Sequence, residues 1–306
     1  MRDSSVMSHD PVSSILALAE TRASTAGGFV TGGVWALAFP PPSKIKFFTI
    51  VRGKAFLRVE GSEKVVSLQA GDVVLLSAPK SFVLGTDLTR QPLDALEVFP
   101  IGAPTVVQIG EGDDFFLMGG HVDLDALSGR ILLDSLPSLI RLQAGGREAE
   151  KLQWLIGQLV EEFRGHEAGS GFACSGLAQL MFLQILRGYL SRSENSGAGW
   201  LRAISDLRIA RALALIHDEP AREWHLPDLA KAAGMSRTAF ATRFREIAGV
   251  TPLAYVTRWR MHLAERGLRD GETTIAMIAQ SVGYASEAAF SNAFKRVMGA
   301  SPTQFR

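Results

Sequence analysis

Two stretches near the end of the sequence carry side chains suited to recognition rather than to bond-making. One runs Ser-Arg-Thr-Ala-Phe-Ala-Thr-Arg-Phe-Arg from Ser236. The other runs Ser-Glu-Ala-Ala-Phe-Ser-Asn-Ala-Phe-Lys-Arg from Ser286. In each, two phenylalanines stand four residues apart, Phe240 with Phe244 and Phe290 with Phe294, so they share one face of a helix. If that face is buried, the opposite face presents Arg237, Thr238, Ala241, Thr242 and Arg245 in the first copy. In the second copy it presents Glu287, Ala288, Ser291, Asn292 and Lys295. Guanidinium and ammonium groups suit phosphate oxygens, which makes Arg237, Arg243, Arg245, Lys295 and Arg296 candidates for positioning contacts on a nucleic-acid backbone. Asn292 suits an adenine edge, Glu287 can accept from a cytosine amino group, and Ala241 and Thr242 can touch a thymine methyl. Glu287 fits a second role equally well, facing the positive end of its own helix.

The elements that must hold these side chains repeat. The first copy reads Leu229-Ala230, Gly234, Phe240, Phe244, Gly249, Pro252, Tyr255, and the second Ile278-Ala279, Gly283, Phe290, Phe294, Gly299, Pro302, Phe305. The offset is 49 residues up to the glycine and 50 from the phenylalanine on, so the second turn is one residue longer. A fixed internal period marks a repeated structural unit. Each copy reads as helix, turn, helix: the apolar pair packs the first helix, and Gly234 or Gly283 takes the left-handed exit. Ser236 or Ser286 then caps the second helix, and Ser286 is counted with the DNA-facing set. One copy alone is as consistent with a helical hairpin of some other all-α domain. Two copies together predict tandem helix-turn-helix units over about 226–247 and 275–297.

The quoted residues resemble the DNA-binding domain of the AraC/XylS family of transcription regulators, over about a hundred residues. The resemblance implies base contacts from Thr238, Ala241, Thr242, Glu287, Ala288, Ser291 and Asn292. It also implies one long helix from Pro252 to Leu268 that fixes the spacing of the two units. An arginine on that helix, Arg258 or Arg260, is often used in packing in the family.

Charge agrees with this placement. The net charge of the 306-residue chain is +1, yet residues 200–306 hold 15 Lys and Arg against 10 Asp and Glu, and residues 1–199 hold 17 against 21. The positive excess sits with the repeated units, as phosphate binding requires. Cys174 is the only cysteine, which excludes an internal disulfide and a cysteine metal site and leaves burial or redox sensing. No apolar run approaches the ~20 residues of a membrane span, and the N-terminus does not read as a signal peptide. The expected setting is cytoplasmic.

Before this region the texture is that of short strands. After a helix over 12–22, β-like runs occur at 34–39, 46–51, 55–59, 65–68 and 73–76, with further candidates at 93–98, 105–109 and 115–118. Glycine, proline and Gly-Asp turns separate them, which predicts an antiparallel barrel or sandwich. The runs Phe48-Thr-Ile-Val-Arg-Gly53-Lys-Ala-Phe-Leu-Arg-Val59 and Leu68-Gln-Ala-Gly71-Asp72-Val-Val-Leu-Leu resemble a cupin-type sensor barrel, the usual N-terminal partner in one branch of the family. Metal-binding cupins place two histidines near 44–46, whereas no histidine occurs here between His9 and His121. Neutral imidazoles are the expected ligands for zinc, iron or copper, so neither a metal nor another cofactor is expected. The barrel either encloses a small effector or serves structure and dimerisation.

The rest of the expected order is a helix over 124–142, a helical hairpin from Glu148–Phe163 and Phe172–Leu190, and a linker. The hairpin is either core or a dimer face. The expected divisions are a cupin-like barrel over 1–122, a helical connecting segment over 123–192, a linker over 193–205 and the DNA-binding domain over 206–306. The fold class is α+β. The expected function is a dimeric, sequence-specific activator that binds promoter DNA, contacts RNA polymerase by family analogy and answers to a small effector. The alternatives are a cupin-type enzyme fused to a DNA-targeting module and an effector-independent repressor.

Overall fold

The computed structural model describes residues 10–99, 105–125, 129–145, 147–165, 167–191 and 199–306. It divides into two units, of which 22–124 with 136–193 form one, and the remaining N-terminal residues with 125–135 and 194–306 form the other.

The first unit is built on two sheets. Its strands are β1 (Arg22–Thr31), β2 (Ala36–Phe39), β3 (Ile45–Arg52), β4 (Lys54–Val59), β5 (Val65–Gln69), β6 (Val73–Leu76), β7 (Phe82–Gly85), β8 (Leu93–Asp94), β9 (Thr105–Ile109), β10 (Phe115–Asp123) and β11 (Leu139–Leu142). One sheet has the order β11-β6-β3-β10-β1-β9 and the other β5-β4-β7-β2-β8. The pairs are antiparallel except β1 with β9 and β2 with β8. The expected barrel or sandwich of short strands is present as two sheets facing a shared core. The core draws Phe29, Phe48, Ile50, Val74 and Leu117 from one sheet and Leu37, Leu57, Leu68, Phe82 and Leu84 from the other. Alternation explains the division: in β4, Ala55, Leu57 and Val59 are buried while Lys54, Phe56 and Arg58 are exposed.

Two expectations change here, and one strand is new. The helix expected over 124–142 is not continuous, because Leu139–Leu142 is a strand paired with β6, preceded by the short helix α3 (Arg130–Leu133). A distant charge fixes that strand. Arg141 donates to the fully buried Asp72 carboxylate from Nη2 at 2.7 Å and Nε at 3.1 Å. The same carboxylate accepts the N–H groups of Ala144 and Gln69, each at 3.0 Å. The strand expected over 93–98 stops at Asp94, whose side chain caps the Leu96 N–H at 2.9 Å and starts helix α2 (Ala95–Val98). Strand β7, unread in the sequence, lies between β4 and β2.

Helices α4 (Arg147–Gly165) and α5 (Ser170–Leu190) pack together as a hairpin, and α5 lies on β1, where Gln179 accepts the Ala23 N–H at 2.8 Å. Most of the segment expected to connect the domains, from 136 on, thus belongs to the sheet unit, while 125–135 belongs to the other. Cys174 is buried in α5, and burial, with the Glu162 charge, raises its thiol pKa against a Thr25 hydrogen bond. That favours packing over thiolate redox chemistry.

The second unit is helical. Helix α1 (Pro11–Leu18), expected over 12–22 and read with the barrel, packs against α7 (Leu207–Asp218) and α10 (Pro252–Arg269) instead. Its apolar residues Ile15 and Leu18 are buried there. Part of the expected linker, 193–198, lies outside the described residues. The remainder is helical: α6 (Trp200–Ser205) buries Trp200, Leu201 and Ala203 against α9 (Arg237–Ala248). Helices α8 (Leu226–Ala232), α11 (Ile275–Ser281) and α12 (Glu287–Met298) and a 3-10 turn, Pro302–Phe305, complete the unit. No helix among the described residues is long and apolar enough to cross a membrane.

Replacing the buried Asp72 tests the charge that fixes β11. Asp72→Ala strands Arg141 and two backbone donors, so it lowers unfolding stability by about 3 kcal/mol or more in a denaturant titration. A loss below about 1 kcal/mol contradicts the assignment.

Candidate nucleic-acid interface

Helix α10 carries the interface. Its first half gives Tyr255, Val256 and Trp259 to the core, with Tyr255 edge-on to Phe244 and Trp259 stacked on His217. Its second half gives Met261, Ala264 and Leu268 to a separate cluster that holds Ile278, Ala279, Val282, Phe290 and Phe294. Eighteen residues span ~27 Å of helix, so one rigid rod seats both repeated units.

Each unit is entered by a capped turn. Gly234 and Gly283 adopt φ of +63° and +81°, in the left-handed region that glycine tolerates. Ser236 Oγ accepts the Ala239 N–H at 3.3 Å, and Ser286 Oγ accepts the Ala289 N–H at 3.2 Å. Helices α9 and α12 then end alike at Gly249 and Gly299, both left-handed. The two turns differ in one respect. The space beside Gly234 is open, whereas a Cβ on Gly283 would collide with the Ala221 carbonyl oxygen. The second turn therefore packs against the loop after α7, and that loop also receives α10. Arg260 Nε donates to the Pro220 carbonyl at 2.7 Å and Nη2 to that of Arg222 at 2.8 Å.

Phe240, Phe244, Phe290 and Phe294 are fully buried. The opposite faces are open. Arg237, Thr238, Thr242 and Arg245 are exposed and Ala241 is half-buried; Ser286, Glu287, Ala288, Asn292, Lys295 and Arg296 are exposed and Ser291 is half-buried. Each expected site residue thus lies on the outward side of α9 or α12 or at its entry. Ser286 is spoken for as a cap, and Glu287 stands at the first position of α12, where its charge faces the positive helix end.

Arg243 departs from the expectation of a phosphate contact. Its guanidinium pairs with Asp206, Nε to Oδ2 at 2.7 Å. Asp206 also caps α7 by accepting the Arg208 and Ile209 N–H groups at 3.0 and 3.2 Å. Burial alone would raise the pKa of that carboxyl. The hydrogen bonds from Ile209, Arg243 and Arg208 outweigh it and hold the group below the usual carboxylate range. Arg243 therefore locks α9 to α7. Arg260 is likewise structural, while Arg258 is exposed. The apolar Trp200-Leu-Arg-Ala203 run was the missed signal that α9 has a support outside 206–306.

At the base of the first unit, His217 Nε2 and the Tyr255 hydroxyl share a 2.8 Å hydrogen bond, and the imidazole stacks 3.8 Å from the Trp259 ring. Burial pushes the His217 pKa down to about 3. It is a neutral core histidine.

A recess lies in the sheet unit. It is a cavity of about 540 Å³ at one end of the space between the sheets, lined by Phe29, Phe39, Phe48, Phe82, Phe99 and Leu117, with Lys46 and His121 among its polar groups. Lys46 and His121 are cross-strand partners on β3 and β10. His121 Nε2 lies 3.0 Å from Ser24 Oγ. Burial, then the Lys44 charge, lowers the His121 pKa, with Asp123 opposing and Lys46 assisting. Among the described residues no three His, Cys, Asp or Glu side chains converge as a metal site would need. Strand β3 carries Lys46 at its start, a poor metal ligand while protonated.

Comparison with known proteins matches both parts. Residues 10–191 match the Cupin family, and residues 229–306 match a Helix-turn-helix domain family. An AraC-like transcription regulator from Streptomyces antibioticus is 39% identical over 297 residues, spanning 97% of this chain and 98% of its own. The HTH-type transcriptional regulator AlkR from Acinetobacter baylyi is 28% identical over 286 residues, 90% and 92% of the two chains. Among solved structures, the DNA-binding domain of AdpA in complex with a target DNA is 29% identical. It covers 31% of this chain and 86% of that one, with a TM-score of 0.30.

Two measurements check the geometry. Gly234→Ala costs about 1 kcal/mol for the backbone alone. Gly283→Ala costs about 3 kcal/mol, because overpacking against Ala221 adds to it; equal losses contradict the close approach. The His217 pKa is lower in the fold than the ordinary 6.5, so the unfolded chain binds the proton first as pH falls. Stability therefore drops between about pH 6.5 and 3, by about 2 kcal/mol at pH 5. Denaturant midpoints over that range, compared with those of His217→Gln, should show a flatter profile in the variant; parallel profiles contradict the buried neutral state.

Proposed function

Because the chain belongs to the AraC-like transcription regulators and carries a cupin domain ahead of its helix-turn-helix region, we propose that it binds promoter DNA sequence-specifically through α9 and α12. The observation that carries this reading is the pair of equivalent outward faces seated on one helix. Two helices held on a common rod suit successive major grooves on one side of a duplex, ~34 Å apart. Thr238, Ala241 and Thr242 face the bases from α9, and Glu287, Ala288, Ser291 and Asn292 from α12. Arg237, Arg245, Lys295 and Arg296 engage phosphates and set the register. Ser286 positions the entry of α12.

The cupin domain serves as the sensor, with the cavity as its effector site. Two of the strands that wall the cavity run on in sequence into the helical unit: β1 follows Thr21, and β10 is followed by Asp125. Asp125 in turn pairs with Arg269 of α10, through Nη2 to Oδ1 at 2.7 Å. An effector that shifts β10 thereby acts along the chain on Asp125, whose ion pair with Arg269 reaches the helix that seats both DNA-facing units. Homodimerisation through the α4–α5 hairpin is supported by its exposed apolar side chains, Trp154 and Phe172. Activation through RNA polymerase, in a cytoplasmic setting, completes the reading.

The roles on the two helices separate experimentally in binding to selected duplexes. Asn292→Ala alters preference at one base position, by about 1–3 kcal/mol. Arg245→Ala weakens binding to all sequences alike and reduces the salt slope by about one. Uniform effects from both substitutions contradict the assignment.

A further inference from the structure

The two helix-turn-helix units diverge at their turns, and the second turn is where they meet. Met235 and Tyr284 are equivalent, since their N–H groups reach the Ala230 and Ala279 carbonyls at 2.9 Å each. Ser236 follows Met235 directly, whereas Ala285 stands between Tyr284 and Ser286 as the extra residue of the second turn. The second turn also touches something the first does not. The loop 219–225 joins α7 to α8, so it is rooted in the first unit at both ends. A Cβ on Gly283 would overlap the Ala221 carbonyl oxygen of that loop, while nothing lies within 4 Å of one on Gly234. Arg260 of α10 donates to two further carbonyls of the loop, those of Pro220 at 2.7 Å and Arg222 at 2.8 Å. Its guanidinium also lies 5.8 Å from the centre of the Tyr284 ring. Tyr284 packs edge-on to Phe290, 5.7 Å away, and Phe290 is one of the two phenylalanines that anchor α12. The loop is stiffened from within. Trp224 is buried, its Nε1 donates to the Glu219 carbonyl at 3.0 Å, and the Arg222 guanidinium stands 4.3 Å from the centre of its ring.

A helix under two units resists stretching, yet long helices bend. The second unit also sits on one stripe of α10, formed by Met261, Ala264 and Leu268. A second attachment away from that stripe restrains bending and rotation. We infer that the loop 219–225, through Arg260 and Gly283, is this second attachment. It sets the angle between α9 and α12, and so the number of base pairs the protein requires between its two half-sites. This rests on the reading of α9 and α12 as the DNA-facing helices. Spacing is a sharp quantity on a duplex, where ~10.5 base pairs make a turn of ~34 Å. One base pair more or less therefore displaces a half-site by about 3.4 Å and rotates it by roughly 34°. Arg260 and Gly283 are positioning residues: they act through the loop, not on the bases.

The test is selection of duplexes bound by the full chain, then affinity for the selected site with one base pair added or removed between its halves. The unaltered chain loses about tenfold or more on either change, comparable to a wrong base pair. Arg260→Met and Gly283→Ala keep the base preference within each half-site, but their loss on either change falls to about threefold or less. A spacing penalty retained in full by either variant overturns the inference. Loss of base preference within the half-sites also overturns it, since that marks a distorted reading helix and not a freed angle. If Arg260→Met does not fold by circular dichroism, Gly283→Ala decides alone. The unaltered chain keeps the two readings apart. Should it select no paired half-sites, the DNA-facing role of α9 and α12 fails and the loop's role with it. Should it select paired half-sites but tolerate changed spacing, or should the penalty survive the substitutions, the loop's role falls and the DNA-facing helices stand.

Discussion

The structure depends on one helix having two apolar ends. Tyr255 and Trp259 belong to one core and Met261, Ala264 and Leu268 to another, so neither helix-turn-helix unit is complete without α10. Between them Glu265 is fully buried, and Arg269 reaches its Oε1 at 2.8 Å as well as Asp125. A buried carboxylate is tolerable only with such partners. The cation that satisfies it also anchors a segment from the N-terminal half of the sequence. The rod is therefore held by apolar packing along its length and by charge near its end. Loosening either disturbs the relative placement of α9 and α12, on which the proposed recognition of two grooves depends.

The sheet unit follows a different rule. Its core mixes aromatic and aliphatic side chains from both sheets. Asp72 shows how the interior tolerates charge: four hydrogen bonds from three residues surround one carboxylate. Lys46 shows the opposite condition, a cation on the inward face without a carboxylate among the described residues. The first arrangement holds a strand in place; the second sets an ammonium 5.1 Å from the centre of the Phe39 ring.

The helical unit was legible in the sequence because its determinants are local. A left-handed glycine, a serine cap and two phenylalanines at i and i+4 fix each unit within some twenty residues, and the outward faces follow from the buried ones. What the sequence did not disclose was decided at a distance. Leu139–Leu142 is a short apolar run that fits helix or strand equally, and the choice falls to β6 and Asp72, about seventy residues away. Arg243 looked free for phosphate because its partner Asp206 lies 37 residues earlier. Helix α1 read as part of the barrel by sequence order alone, and packing of Ile15 and Leu18 on the helical unit overrides that order. Trp200 sat in glycine- and serine-rich surroundings that suggested a linker. The cavity's lysine was visible as a missing histidine, and its inward direction became plain only with the register of β3 and β10.

The account turns on two DNA-facing helices acting at a fixed separation, and a cleavage footprint of the full chain on a duplex selected from random sequence tests this most directly. Two protected patches on one face of the DNA, centred about one helical turn (~10 base pairs) apart, are the predicted result. A single patch, or protection that does not depend on sequence, would contradict it.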